Sequence, residues 1–187
     1  MQTLAQDMLS AVKVQWDLSL SRVNEWAQNE VFRFRWWFLL IFFMLSGFIW
    51  WKKVDKSRCN EIILYTLLIG IISLILDELG EELCLWDYPV DIIPLFPPIS
   101  AIDLASLPMI YSLIYQYFTP WKKFIIATVV MALVFCFVFE PLVALIGVYQ
   151  PITWRYYYGF PIYIAIGIGT KAAVIKLYSI KEKRLKA

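Results

Sequence analysis

The sequence predicts an all-α integral membrane protein: a five-helix transmembrane bundle with an N-terminal amphipathic helix. Three observations carry this. Of 187 residues, 61% are hydrophobic and 17% charged, against about half and about a quarter in a soluble domain. Mean hydropathy is +0.66. The apolar residues gather in long runs bounded by aromatic pairs, basic turns and a proline-rich loop, the layout of a chain that crosses a bilayer repeatedly.

Residues 1–33 are polar. Leu4, Met8, Val12, Trp16, Val23 and Trp26 keep close to helical spacing, which predicts an amphipathic helix. It lies in the membrane interface or packs, solvated, on the outer loops. Its charges run throughout, without the basic start and apolar core of a secretory signal. Residues 34–180 form the transmembrane domain. The first span, about 36–51, has a tryptophan pair at each end, an aromatic belt at both interfaces. A basic loop, Lys52 to Arg58, precedes the second span, about 62–80. Pro89, Pro94, Pro97 and Pro98 make residues 87–101 irregular, because proline removes a donor and restricts its predecessor. The third span is about 102–118, with a kink at Pro108. The fourth, about 124–148, is long enough to tilt and holds Glu140-Pro141. The fifth is about 160–178, and the tail 181–187 is basic.

Lysine and arginine set the orientation. With five spans, the 52–61 loop, the 119–123 turn and the C-terminal region share one side. They carry four, two and five of these residues. That side is predicted to be cytoplasmic, with the N-terminus outside.

The chemistry is bounded by what the sequence contains. There is no histidine, which excludes Ser-His and Cys-His catalysis and the commonest transition-metal ligand. Cys59, Cys84 and Cys136 give no disulfide framework or zinc spacing, and Cys136 reads as a small buried hydrophobe. A net charge of +2 argues no nucleic-acid partner. No glycine-rich phosphate loop or nucleophile elbow is present.

The unusual stretch is Asp77-Glu78-Leu79-Gly80-Glu81-Glu82. It closes the second span with four carboxylates in six residues, where the helix dipole and their mutual repulsion disfavour them. Asp77 lies roughly 22 Å along the axis from Ile62, inside a hydrocarbon core roughly 30 Å thick. Glu140 lies roughly 24 Å from Phe124. Alternating spans therefore bring Asp77, Glu78, Glu81, Asp103 and Glu140 to similar outer depth. Pro141 frees the Phe137 carbonyl one turn back, and irregular backbone at that depth needs a cavity or buried protein around it.

Carboxylates at membrane depth need compensation. A Ca²⁺ or Mg²⁺ ion supplies it, as do bidentate pairs with Arg155, Arg33 or Arg35, or protonation of one or two carboxyls. Trp154 and Tyr156 to Tyr158 read as belt residues or as an aromatic wall for a cation. Lys171 reads as snorkelling to the inner surface. Ala165, Gly169 and Ala173 read as a close helix-packing stripe. The prediction is an outward-facing carboxylate pocket for a cation or cationic ligand, built from Asp77, Glu78, Glu81, Asp103, Glu140 and Arg155, in transport, sensing or an accessory role. Two alternatives stay open: an enzyme using an embedded carboxylic acid on a lipidic or isoprenoid substrate, and a structural subunit of a homo-oligomer or larger membrane complex.

Leu85-Trp86-Asp87-Tyr88-Pro89, Tyr111 to Phe118, Phe139-Glu140-Pro141-Leu142 and Pro161-Ile162-Tyr163 resemble a family of small, functionally uncharacterised integral membrane proteins of spore-forming Gram-positive bacteria. The likeness covers roughly residues 35–180 and implies a helical plasma-membrane protein without supplying an activity. The Glu-Pro span and acidic rim are also loosely similar to integral membrane terpene and carotenoid cyclases, which use membrane-embedded carboxylates.

Overall fold

The structure, a computed structural model, describes residues 2–94 and 106–186, with side chains from 9 to 94 and from 106 to 180. The described residues are mostly helical. α1 is Gln2–Glu25, α2 Phe34–Lys53, α3 Cys59–Glu82 and α4 Leu107–Tyr117. α5 is Trp121–Val134, α6 Glu140–Ile146 and α7 Tyr156–Lys186. Four helical stretches are long and apolar enough to cross a membrane: Phe34–Lys53, Lys56–Glu82, Trp121–Ile146 and Tyr156–Ile180. The chain is thus compatible with an all-α, multi-pass membrane protein. Of the predicted third span, Leu107–Tyr117 is helical, and residues 102–105 lie outside the described residues.

The core gathers where α3, α4, α5 and α7 meet. Tyr65 and Tyr115 stack at 4.3 Å between centroids, with Ile69, Tyr111, Phe124, Phe135 and Val174 buried around them. Buried phenols need acceptors. Tyr65 Oη donates to the Gly167 carbonyl at 3.3 Å and Tyr111 Oη to the Tyr163 carbonyl at 2.5 Å. Both draw the middle of α7 inward. A side chain at Gly167 would meet the Tyr111 ring at 2.9 Å and Thr128 at 3.0 Å, so the close helix approach is there. The predicted packing stripe is a correction: Ala165, Gly169 and Ala173 are exposed, and nothing lies within 4 Å of the Gly169 Cβ direction. Gly167 and Gly169 are two residues apart, roughly 200° around the helix. When one faces the core, the other faces out.

α2 is peripheral. Its one buried residue is Leu39, and Trp50 Nε1 holds it to α4 through Ser112 Oγ at 2.6 Å.

The helix ends away from the basic turns are fastened by backbone hydrogen bonds. α3 stops in a Schellman turn: Leu85 N–H donates to the Gly80 carbonyl and Cys84 N–H to the Glu81 carbonyl, at 2.8 and 2.9 Å. Cys84 takes the left-handed conformation, φ 53°. α6 stops the same way, with Val148 bonded to Val143, Gly147 bonded to Ala144 and Gly147 at φ 78°. The two exits then pair. β1 (Trp86–Asp87) and β2 (Gln150–Pro151) run antiparallel, Trp86 opposite Pro151. The N–H groups of Ile152, Thr153 and Trp154 all point at the Leu85 carbonyl within 3.1 Å. Trp26 and Trp36 donate to the carbonyls of Asp91 and Ile92 at 3.0 and 3.1 Å, so the loop after β1 is clamped against the end of α1 and the start of α2.

Candidate functional site: two carboxylates in an aromatic cavity

Asp77 sits near the end of α3 and is buried. Its Oδ1 accepts from Trp86 Nε1 at 3.0 Å and from Tyr88 Oη at 2.8 Å. The Schellman turn makes this possible, because it folds the chain back so that residues 86 and 88 return to their own helix. Gly80 is required for it. A Cβ there would overlap the Trp86 ring, which lies directly on the α3 backbone.

Glu140 reaches the same region from the other side. α5 runs into a π-helical turn, Phe135–Phe139, before α6 begins at Glu140. Pro141 is the cause: without an N–H it cannot continue the ladder, and the chain widens by one residue per turn. The widened turn leaves Glu140 buried, with Oε1 accepting from Tyr163 Oη of α7 at 2.8 Å.

Asp77 and Glu140 line one cavity of about 320 Å³. Its walls are apolar and aromatic: Trp86, Tyr88, Phe135, Phe139, Tyr149, Trp154 and Tyr163. Trp154 meets Trp86 edge-on at 4.8 Å, so the aromatic wall is a fixed pair. Ser73, one helical turn before Asp77, also lines it, 5% exposed and without a hydrogen-bond partner for its Oγ. Among the described lining residues there is no lysine or arginine.

The remaining candidates lie elsewhere. Glu81 lines a second, acidic cavity of about 410 Å³, with Glu25, Glu30, Asp87, Asp91 and Arg22. Tyr88 belongs to both cavities and stands between them. Glu78 is half-buried and Arg155 exposed, and neither is among the residues lining either cavity. Asp103 lies outside the described residues. Among the described residues no three His, Cys, Asp or Glu side chains are grouped to hold a metal ion.

The acidic cavity has its own electrostatics. Burial pushes the Asp91 carboxyl up to about 7, and Glu81, Glu30 and Asp87 add to the effect. Glu30 is also raised by burial, against a hydrogen bond from the Asp91 N–H that lowers it.

A second polar centre lies at the opposite end of the core. Arg58 binds Glu61 through two hydrogen bonds, 3.0 and 3.2 Å, and Tyr115 Oη donates to Glu61 Oε1. Lys171 joins it. Only 2% exposed, it donates to the Phe118 and Thr119 carbonyls at 3.2 and 2.8 Å and lies 4.0 Å from the Phe124 ring centroid. The snorkelling expectation is therefore corrected: Lys171 turns inward and caps the exposed carbonyls after α4.

Sequence reasoning missed Ser73, Trp86, Tyr88 and Tyr163 as site residues. A signal existed for three of them: Ser73 is four residues before Asp77, on the same helix face, and Trp86 and Tyr88 flank Asp87 just past the acidic stretch. No family model matches the chain, and neither the curated proteins nor the solved structures contain a match.

Proposed function

We propose that the chain is a five-span plasma-membrane protein whose outer-end cavity binds an organic cation between Asp77 and Glu140. In this reading the predicted third span, of which α4 is the described part, completes the five, the basic loops are cytoplasmic and α1 rests at the outer interface. The transport, sensing or accessory role follows from what the bound cation does.

The observation that carries the reading is the convergence of two buried carboxylates from separate helices on one aromatic cavity. Negative charge at membrane depth attracts a cation. Aromatic faces add cation–π attraction, worth roughly 0.5–2 kcal/mol per contact. A cavity of about 320 Å³ suits a small organic molecule better than a bare divalent ion, which wants six to eight oxygens.

Thermal stability in detergent tests this directly. Butylammonium is expected to raise the Tm of the wild-type protein, and Asp77→Asn or Glu140→Gln to remove the shift. Equal shifts in the variants refute the reading. A shift with Ca²⁺ and none with ammonium ions replaces it by the metal-site reading.

The apolar walls also favour a second reading, an enzyme that protonates an isoprenoid or other lipidic substrate from Glu140 or Asp77. Membrane-embedded acids serve this chemistry as general acids. Its test is product analysis after incubation with a polyisoprenoid. A cyclised or isomerised product that Glu140→Gln abolishes supports the enzyme; unaltered substrate removes it.

A further inference from the structure

We infer that the occupant of the Asp77–Glu140 cavity is a single-chain amphiphile with a primary-amine head, taken up sideways from the bilayer. The inference rests on the cation reading and narrows it to one class of ligand and one route.

The route comes from the lip of the cavity. Leu76, Leu79 and Leu83 of the α3 end and Ile162 of α7 all line it. The same residues are 37%, 52%, 66% and 37% exposed. A side chain that lines a cavity and also covers the outer face of a membrane helix forms a threshold between that cavity and lipid. Tyr88 separates the cavity from the acidic one and is fastened to Asp77 by its hydroxyl. The wall toward the acidic cavity is therefore a hydrogen-bonded ring, while every exposed residue of the lining is aliphatic. Aliphatic side chains part for a hydrocarbon chain without losing a hydrogen bond.

The head group comes from the polar lining. Ser73 Oγ is buried, unpartnered and on the Asp77 face of α3. A buried hydroxyl without a partner is costly and is explained by a partner that arrives with the ligand. Asp77, Glu140 and Ser73 then supply three acceptors from two helices. A primary ammonium has three N–H donors. A quaternary ammonium has none and would use only the aromatic walls and the charge.

The test uses the full chain reconstituted in phosphatidylcholine vesicles. Binding of dodecylammonium, dodecyltrimethylammonium and butylammonium is measured as protein-dependent counts above empty vesicles. Dodecylammonium is expected to bind at least tenfold tighter than butylammonium and at least fivefold tighter than the trimethyl analogue. Ser73→Ala is expected to erase the preference for the primary amine and leave the trimethyl analogue unchanged. The double variant Leu79→Phe with Ile162→Phe, both outward-facing and so tolerant of the change, is expected to slow uptake of dodecylammonium but not of butylammonium.

Butylammonium binding as tightly as dodecylammonium, with the lip variant without effect, overturns the lateral route and leaves the cation reading standing. Equal binding of the two dodecyl amines overturns the head-group assignment. If no amine binds at any length, the cation reading itself falls.

Discussion

The two polar centres of the core are made from similar parts. Each has an acid drawn into the bundle, half-buried Glu61 at one end and buried Asp77 and Glu140 at the other, with a tyrosine that donates to it and an aromatic surround. At the basic end, Glu61 is met by Arg58 and Tyr115, and Lys171 binds the two carbonyls beside them. At the other end, Asp77 and Glu140 are met by neutral donors, Trp86, Tyr88 and Tyr163, around open space. The difference is the cation. The basic end carries its own, so its charge is balanced inside the chain and the centre is closed. The carboxylate end has room for a cation and no lysine or arginine among the described residues lining it. The first arrangement holds helices together; the second is suited to an occupant.

The comparison breaks if substitutions at the two ends behave alike. Of the substitutions at the two ends, the larger effect is expected at Lys171. Lys171→Met keeps the volume but leaves the Phe118 and Thr119 carbonyls without a donor, at a cost of about 2–3 kcal/mol. Denaturant unfolding in detergent reads this. Asp77→Asn retains an acceptor for Trp86 and Tyr88, so its cost is expected below about 1 kcal/mol. A larger loss for Asp77→Asn than for Lys171→Met reverses the assignment.

The acidic cavity sharpens the contrast through pH. Asp91 has a folded pKa of about 7 and an unfolded one near 3.9. Its folded state holds the proton more tightly. The contribution to stability is therefore full below about pH 4 and is lost as pH rises through about 7. The expected loss between these limits is on the order of 2–4 kcal/mol. Asp91→Asn should flatten the profile of Tm against pH in this window. An unchanged profile contradicts the burial assigned to Asp91.

Gly80→Ala comes next. The Cβ displaces Trp86 from the α3 backbone, at about 1–3 kcal/mol, and takes the indole donor away from Asp77. Amine binding is expected to weaken roughly tenfold with it. Cys84→Gly is the smallest and has the opposite sign. A non-glycine residue at φ 53° carries strain that glycine lacks, so a gain of roughly 0.5–1 kcal/mol is expected.

The apolar runs made the helices legible. The first, second and fifth predicted spans fall within Phe34–Lys53, Cys59–Glu82 and Tyr156–Lys186, the fourth, 124–148, runs two residues past Trp121–Ile146, and depth pointed to Asp77 and Glu140 together with Glu78, Glu81 and Asp103. What depth does not supply is direction around the helix and the path of the loop beyond it. Glu78 is about 100° from Asp77 and faces away from the cavity that Asp77 lines. Glu81 shares the Asp77 face but lies about 6 Å further along the axis, beyond Tyr88, so it falls into the other cavity. Lys171 illustrates the same point. Its depth suggested the interface, yet it stands one turn after Gly167 on the face that packs inward. Trp86 and Tyr88 enter the site only because Cys84 turns the chain back, and left-handed cysteine has no signature in the sequence.

The central claim is that a cation belongs between Asp77 and Glu140. A crystal or cryo-EM structure of the protein with a bromoalkylammonium tests it most directly. The expected result is the ammonium nitrogen within about 3 Å of oxygens of both carboxylates, with the bromine pointing to the lip formed by Leu79 and Ile162. An amine found instead in the acidic cavity beside Asp91, or a cavity filled by side chains alone, contradicts the account.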